Sequence, residues 1–461
     1  MTRDLYGRLF EASAFPLLDR MSGTSISAVF AALEAAEHLD RDEIAARQTG
    51  KLAATVELAR RASSFYRQVW TTAGPRSSHP VLDGLPVVTK AQLAAAPGAF
   101  PLPGFRGRVV TSRTSGSTGS PMVFHRSLEQ ESWFWALRFR MWSWAGYRPG
   151  DPYLTINLNP RLGWRKHLQD VLFRCAYLTF NADNQDSARI VERLRADGIR
   201  HLNGFSSSLY VLARYMIERG ARAPGVTGVT STGDTLFPPY REVVEQAFGV
   251  RVLDYYGAGG EGVHLASQCP QSGTRYHLHP ENAVVELLDE RGPVPSGVPG
   301  RLVVTQLDNA AMPLIRYELG DVAVGAPPDA RCACGRTLPL LERVEGRIPD
   351  LIAVPDGTFL VTHFFVVLFK NLQSIDRYQV VQDEHDRIRV RLVGRPGAER
   401  SEVETAVRRA VETATRGLLA VEFEWVDEIP LSGAGKRRLV VSRFGREAIG
   451  GARHIEEAAD A

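Results

Sequence analysis

Between Tyr153 and about Gly262, short apolar runs rich in β-formers alternate with stretches of helical period. Tyr153-Leu154-Thr155-Ile156, Val229-Thr230-Ser231-Thr232 and Val250-Arg251-Val252-Leu253 are such runs, and the segment near Ala188–Ala196 is one of the helical stretches. This β–α alternation calls for a mostly parallel sheet with helices on its faces, an α/β architecture. No other feature of the chain restricts its fold as strongly.

The flanking regions differ. The first ~100 residues have a helical period, with Leu52, Val56, Leu58, Ala59 and Ala62 forming one apolar face. Pro80 to Pro86 is a turn-rich break, and Val87-Val88-Thr89-Lys90 opens a short helix. Val109-Val110-Thr111-Ser112 reads as a strand entering a Gly/Ser/Thr-rich loop, and Leu128 to Ala145 as a buried, aromatic helix. From Arg275 to Val324 strands and turns follow one another, Ala283–Leu288 and Arg301–Thr305 among them, which suggests an antiparallel, barrel-like subregion. The last ~115 residues form a small α+β unit: strand Arg387–Val393, helix Ser401–Thr415, strand Ala420–Trp425. A chain of 461 residues has room for two or three domains. We place the boundary at Gly346-Arg347, giving a large N-terminal domain, 1–346, and a small mobile C-terminal domain, 347–461.

The net charge of +3 comes from scattered Arg, which fits an anionic substrate and gives no reason to expect nucleic acid. No stretch is apolar enough and long enough to cross a bilayer, the N-terminus lacks a signal pattern, and no membrane partner is expected. Four cysteines do not make a disulfide framework, so a reducing cytoplasm is the expected location.

The strongest local signal is Thr114-Ser115-Gly116-Ser117-Thr118-Gly119-Ser120-Pro121, set between a β-run and a helix. Glycines let a backbone approach an anion with its N–H groups turned inward, and hydroxyls add neutral donors to phosphate oxygens. No Gly-Lys-Ser/Thr follows, so it is not a Walker A loop. The loop resembles the ATP-phosphate loop of the adenylate-forming superfamily, which includes acyl-CoA synthetases, peptide-synthetase adenylation domains and luciferases. Leu58 to Arg67, Leu85-Pro86-Val87-Val88-Thr89-Lys90 and Ala311-Met312-Pro313-Leu314-Ile315-Arg316-Tyr317, with Gly320-Asp321 after it, are similar to the phenylacetate–CoA ligase branch and its relatives in natural-product and capsule pathways.

The resemblance assigns roles residue by residue. Thr114, Ser115, Gly116, Ser117, Thr118 and Gly119 would hold the ATP phosphates. Gly233-Asp234 matches the adenine-side segment, although a strand-to-helix turn with a capping Asp explains the same residues and both can hold. Asp254-Tyr255-Tyr256-Gly257-Ala258-Gly259-Gly260-Glu261 is similar to the Tyr-Gly-x-Thr/Ser-Glu motif, in which the aromatic ring packs on adenine and the carboxylate holds Mg²⁺. Here Gly259 replaces the hydroxyl residue and Glu261 lies one position late; the other reading is a turn glutamate. Asp321 matches the ribose-binding aspartate and Arg347 the hinge-side arginine, with Pro349 replacing a usual acidic residue. Lys436, in Ser432-Gly433-Ala434-Gly435-Lys436, matches the catalytic lysine of a mobile C-terminal loop. Some members of the branch carry cysteines like Cys332-Ala333-Cys334. Cys269, His277, Cys332 and Cys334 would then hold a structural Zn²⁺, with His264 or His279 as alternative fourth ligands and reduced, unliganded thiols as the plain alternative.

The implied chemistry is ATP- and Mg²⁺-dependent conversion of a carboxylic acid, aryl or arylalkyl, to an acyl-adenylate, followed by transfer to a thiol, coenzyme A. Three alternatives stay open: an amide-forming ligase with an amine acceptor, a ligase that loads a carrier protein, and an inactive relative that binds nucleotide or acyl-adenylate. Phe359 and Leu360, bulky residues just after Gly357, favour a narrower acceptor path and so the amine. A homodimer is compatible with the sequence.

Overall fold

The computed structural model describes residues 4–113, 122–157, 163–179, 184–370, 372, 374–430, 438–445 and 453–454. The N-terminal region is helical as its period predicts. The helix Arg41–Ala62 is capped by Asp40, carries Asp42 and Glu43 in its first turn and Arg60 and Arg61 in its last, and so complements its own dipole at both ends. It buries Leu52, Val56 and Ala59 against the antiparallel strands described below, with Leu58 and Ala62 at the margin. Thr89 and Gln92 close a capping box on the short helix Lys90–Ala94.

Strands β1 (Val109–Arg113) and β2 (Val123–Ser127) pair antiparallel. The main sheet is built from β3 (Tyr153–Asn157), β4 (Cys175–Thr179), β5 (His201–Phe205), β6 (Gly228–Thr232), β7 (Val252–Ala258), β8 (Val263–Ser267), β9 (Tyr276–Leu278), β10 (Ala283–Leu288), β11 (Pro299–Gln306), β12 (Tyr317–Gly325) and β13 (Leu340–Arg347). Its order is β10-β11-β12-β13-β9-β8-β7-β6-β5-β3-β4. The strands from β4 to β7 are parallel; those from β7 to β10 are antiparallel. The region expected to be barrel-like is therefore the antiparallel half of one continuous sheet. β7 is the pivot: Val252–Asp254 pair parallel with β6, and Tyr255–Ala258 pair antiparallel with β8.

Both faces of the parallel half are covered, as the alternation requires. On one, Leu154, Leu202, Val229 and Val252 pack against helices Asn184–Ala196, Ser206–Glu218 and Pro238–Phe248. On the other, Tyr153 and Tyr255 meet Phe139, Trp142 and Tyr147. The aromatic helix, Leu128–Trp144, is buried, as read from its composition.

A separate core gathers in the C-terminal region. β14 (Ile352–Ala353) and β15 (Thr358–Leu360) form a hairpin whose turn holds Gly357 at φ +82°, where a side chain would be strained. β16 (Ile375–Glu384), β17 (Arg387–Gly394), β18 (Ala420–Trp425) and β19 (Val440–Ser442) make a four-stranded sheet in the order β18-β17-β16-β19. The helix Arg400–Thr415 lays Val403, Val407 and Val411 into this core at four-residue spacing. Val322 of β12 meets Ile348, Leu351, Ala353, Phe359 and Val361 in a small apolar seam between this unit and the main sheet. None of the helices among the described residues is long and apolar enough to cross a membrane.

Candidate functional site

The pivot strand presents the site. In β7 alternate side chains take opposite faces. Tyr255 joins the aromatic core, and Tyr256 turns the other way, where its hydroxyl donates to Asp321 Oδ2 at 2.5 Å. Asp321 lies in β12 directly across from Arg347 in β13, and Arg347 Nε is 3.9 Å from Asp321 Oδ1. Three residues expected to border the nucleoside thus come together from three strands. Burial, with the Asp321 charge beside it, pushes the Tyr256 phenol far above its usual range, so it stays a donor.

Glu261 occupies the turn between β7 and β8. Tyr317 donates to its Oε1 across 3.5 Å, and Gln306 Nε2 donates to its backbone oxygen at 3.2 Å. Burial raises its carboxyl pKa, the charges of Lys90 and Arg347 oppose the rise, and Asp321 adds to it. The Glu261 carboxylate receives one long hydroxyl contact and the bond from its own N–H, which leaves lone pairs for a hard cation. Gly257 is required for the hairpin, because a β-carbon there would meet Val263 O at 2.4 Å. Ser112 of β1 donates to Gly260 O at 2.5 Å and Arg126 of β2 donates to Ser112 Oγ at 3.0 Å, which ties the strands flanking the phosphate-loop sequence to the Glu261 turn. Thr114, Ser115, Gly116, Ser117, Thr118 and Gly119, and also Lys436, lie outside the described residues.

Asp234 caps a helix, though not the one that follows it. Its carboxylate accepts from the N–H groups of Ser206 at 2.7 Å and Ser207 at 3.2 Å, at the start of Ser206–Glu218. Gly233, at φ +82°, leaves room for the Phe205 ring, which an added β-carbon would meet at 2.3 Å. Ile348–Asp350 form a 3₁₀ turn, a conformation that accepts Pro349. Sequence reasoning missed Arg438, whose guanidinium pairs with Asp350 and donates to Pro349 O at 3.1 Å. It therefore fixes the chain just ahead of β19 to the turn that follows Arg347. A lone near-terminal arginine gave no local signal of this. Phe359 and Leu360 are buried in the two apolar clusters, so their bulk is spent on packing and not on an acceptor path.

Cys269, His277, Cys332 and Cys334 converge, with one ligand atom from each lying within 4.8 Å of the others. Cys269 Sγ is 3.6 Å from Cys332 Sγ, and Cys334 Sγ is 3.4 Å from His277 Nε2. A tetrahedral centre with Zn–S near ~2.3 Å and Zn–N near ~2.0 Å separates its ligand atoms by about 3.5–3.8 Å, so this set fits zinc. Burial lowers the His277 pKa to about 4, which keeps the imidazole neutral and able to ligate. His264 and His279 go elsewhere: His264 stacks on Phe134 at 4.2 Å, and His279 bonds Ser267 at 2.9 Å and Arg140. The cluster links the end of β8 and strand β9 to the loop before β13. Arg41 and Arg336 bind that same loop to the N-terminal helices, through Thr337 O at 2.9 Å and Glu37 at 2.6 Å.

A pivoting mixed sheet and a small α+β unit with its own core, with nucleoside-binding candidates at the seam, give the chain the fold of the AMP-forming ligases. Its relatives are phenylacetate–CoA ligase-like. Phenylacetate-coenzyme A ligase of Thermus thermophilus is 30% identical over 146 residues, 31% of this chain and 32% of that protein, so this match spans about a third of the relative's length. Protein CapK of Staphylococcus aureus is 20% identical over 351 residues, 74% of this chain and 75% of CapK. Residues 352–443 match the family described as the CapK C-terminal domain. The structure of 2-hydroxyisobutyryl-CoA ligase in its postadenylation state superposes with a TM-score of 0.69 at 20% identity, covering 90% of this chain and 92% of the other. At that identity the likeness concerns the fold.

Proposed function

We propose that the protein activates a carboxylic acid with ATP as an acyl-adenylate and then passes the acyl group to a thiol, coenzyme A. The observation that carries this reading is the meeting of Tyr256, Asp321 and Arg347, with Glu261 in the adjoining turn. A carboxylate is a poor acyl donor because its leaving group would be oxide. Attack of its oxygen on the ATP α-phosphorus forms an O–P bond and breaks the bond to pyrophosphate, after which AMP serves as the leaving group. Asp321 accepts from the ribose hydroxyls, Tyr256 and the Gly233–Asp234 turn border adenine, and the Thr114–Gly119 loop holds the β,γ-phosphates. Glu261 would hold Mg²⁺, which supplies charge to offset the phosphates. Lys436 bridges the carboxylate and the α-phosphate, where two anions would otherwise repel. The unit from 347 onward turns about the Arg347–Asp350 segment between the two half-reactions. Cys269, His277, Cys332 and Cys334 would hold a structural zinc, four protein ligands leaving no position for a substrate.

An aryl or arylalkyl acid is the substrate class we favour, on sequence similarity to phenylacetate–CoA ligases. An amine acceptor is the second reading. Its sequence basis, the bulk of Phe359 and Leu360, is accounted for by burial. The test is the product mass after incubating enzyme, ATP and a turned-over acid with coenzyme A or with a set of amines. An acyl-CoA mass is expected. Adenylate that accumulates beside coenzyme A but is consumed by an amine would replace the thiol with the amide reading.

A further inference from the structure

Among the described residues, eight of the eleven exposed large hydrophobic side chains belong to two neighbouring elements, Leu5–Ser22 and the helix Trp164–Leu172. The first is α-helical at both ends, with a π turn, Phe10–Ala14, between. Its inner side buries Phe10, Phe15 and Asp19, and its outer row is Leu5, Leu9, Leu17 and Met21. In an unbroken α-helix each four-residue step drifts by about 40°, and such a row would wind off the face. The wider π turn takes back part of that drift and keeps Leu17 and Met21 near the line of Leu5 and Leu9. The second element carries Trp164, Leu168 and Val171 at i, i+4, i+7. All seven are 51–76% exposed. The two elements adjoin where the Tyr6 hydroxyl donates to Leu172 O at 2.7 Å.

Charge decides what covers this face. The acidic side chains of the first element and its N-cap are engaged: Glu11 with Arg148, the capping Asp4 with Arg174, and buried Asp19 with Ser27 at 2.8 Å. Exposed Arg8 and Arg20 stand beside Leu9 and Met21, and Arg108 donates to Ser22 O at 2.9 Å. A second copy of the chain would set one arginine rim against another. A projecting apolar row with a basic rim instead matches an anionic lipid surface, into which Leu, Met and Trp dip while arginines remain at the headgroups.

We propose that the outer face of Leu5–Ser22, together with Trp164, Leu168 and Val171, is a peripheral docking surface for anionic bilayers. The expectation of no membrane partner rested on the lack of a spanning segment, a criterion that does not bear on helices lying in the interface. The test is cosedimentation of the full chain with phosphatidylcholine vesicles, with and without phosphatidylglycerol. Binding to the anionic vesicles is expected, weakened by salt. The triple variant Leu9→Ser/Leu17→Ser/Met21→Ser should bind about tenfold or more weakly. Arg8→Glu/Arg20→Glu should lose binding to anionic vesicles, and both variants alter exposed positions, so their melting should match wild type. Wild type that stays in the supernatant with both vesicle types, or a triple variant that binds as wild type does, would overturn the proposal. So would sedimentation showing a dimer that the triple substitution dissociates, without vesicle binding; a second copy would then cover the face.

Discussion

Asp321 is held from two sides, by the Tyr256 hydroxyl and by Arg347. Its orientation is set in advance, so little side-chain freedom remains to be lost on binding. Asp321→Ala should raise the ATP KM roughly ten- to a hundredfold, as ~1.5–3 kcal/mol for hydrogen bonds to a charged group implies; an unchanged KM would remove it from the ribose. A second carboxylate, Asp254 in β7, is buried, accepts from Tyr276 at 2.5 Å and from Ser231, and is pushed up to about 6 by burial. An unfolded aspartate titrates near ~3.9. Between about pH 4 and 6 the folded chain keeps a proton that the unfolded chain has released, so this group's contribution is full below the unfolded pKa and is lost as pH rises through the folded one. About 2–3 kcal/mol is involved, at ~1.4 kcal/mol per pKa unit. Melting temperatures of wild type and Asp254→Asn across this window should show the wild type losing ground to the variant as pH rises. Parallel curves would mean that Asp254 ionises normally.

Gly257→Ala would place a β-carbon 2.4 Å from Val263 O and 3.1 Å from His264 Cα, both backbone atoms, so β7 and β8 must part. A loss of about 2–4 kcal/mol is expected, together with adenylation, since Tyr256 and the Glu261 turn share that hairpin. A variant that melts and reacts as wild type would show that the strands have slack. For the cluster of Cys269, His277, Cys332 and Cys334, elemental analysis should give one zinc per chain in wild type and far less in Cys332→Ser, with melting lowered by a few degrees. Metal-free wild type would contradict the assignment. β10 and β18 were legible to their ends, because turn residues or a helix bound each apolar run. β7 was not: its polar Asp254 and its Gly257 break the strand pattern, and only pairing with β8 defines its length. The four candidate zinc ligands were legible as residue types. Their closeness depends on β9 pairing with β13, a long-range contact that no local pattern announces.

On the scale of the whole molecule, the reversal of strand direction at β7, the Asp321–Arg347 cross-strand pair and the apolar seam to the C-terminal unit belong to one construction. The sequence order of the motifs pointed to such a site, but their spacing along the chain could not show that Tyr256 reaches Asp321 or that Arg438 reaches Asp350. Formation of an acyl-adenylate by this construction would run backwards when pyrophosphate is supplied. The most direct test is exchange of labelled pyrophosphate into ATP by the full-length protein, across a panel of aryl, arylalkyl and alkyl acids. Exchange that depends on an added acid is expected, with a rate about 10²–10³-fold lower in a normally melting Lys436→Ala variant. Exchange with no acid in the panel, or undiminished exchange in Lys436→Ala, would contradict that expectation.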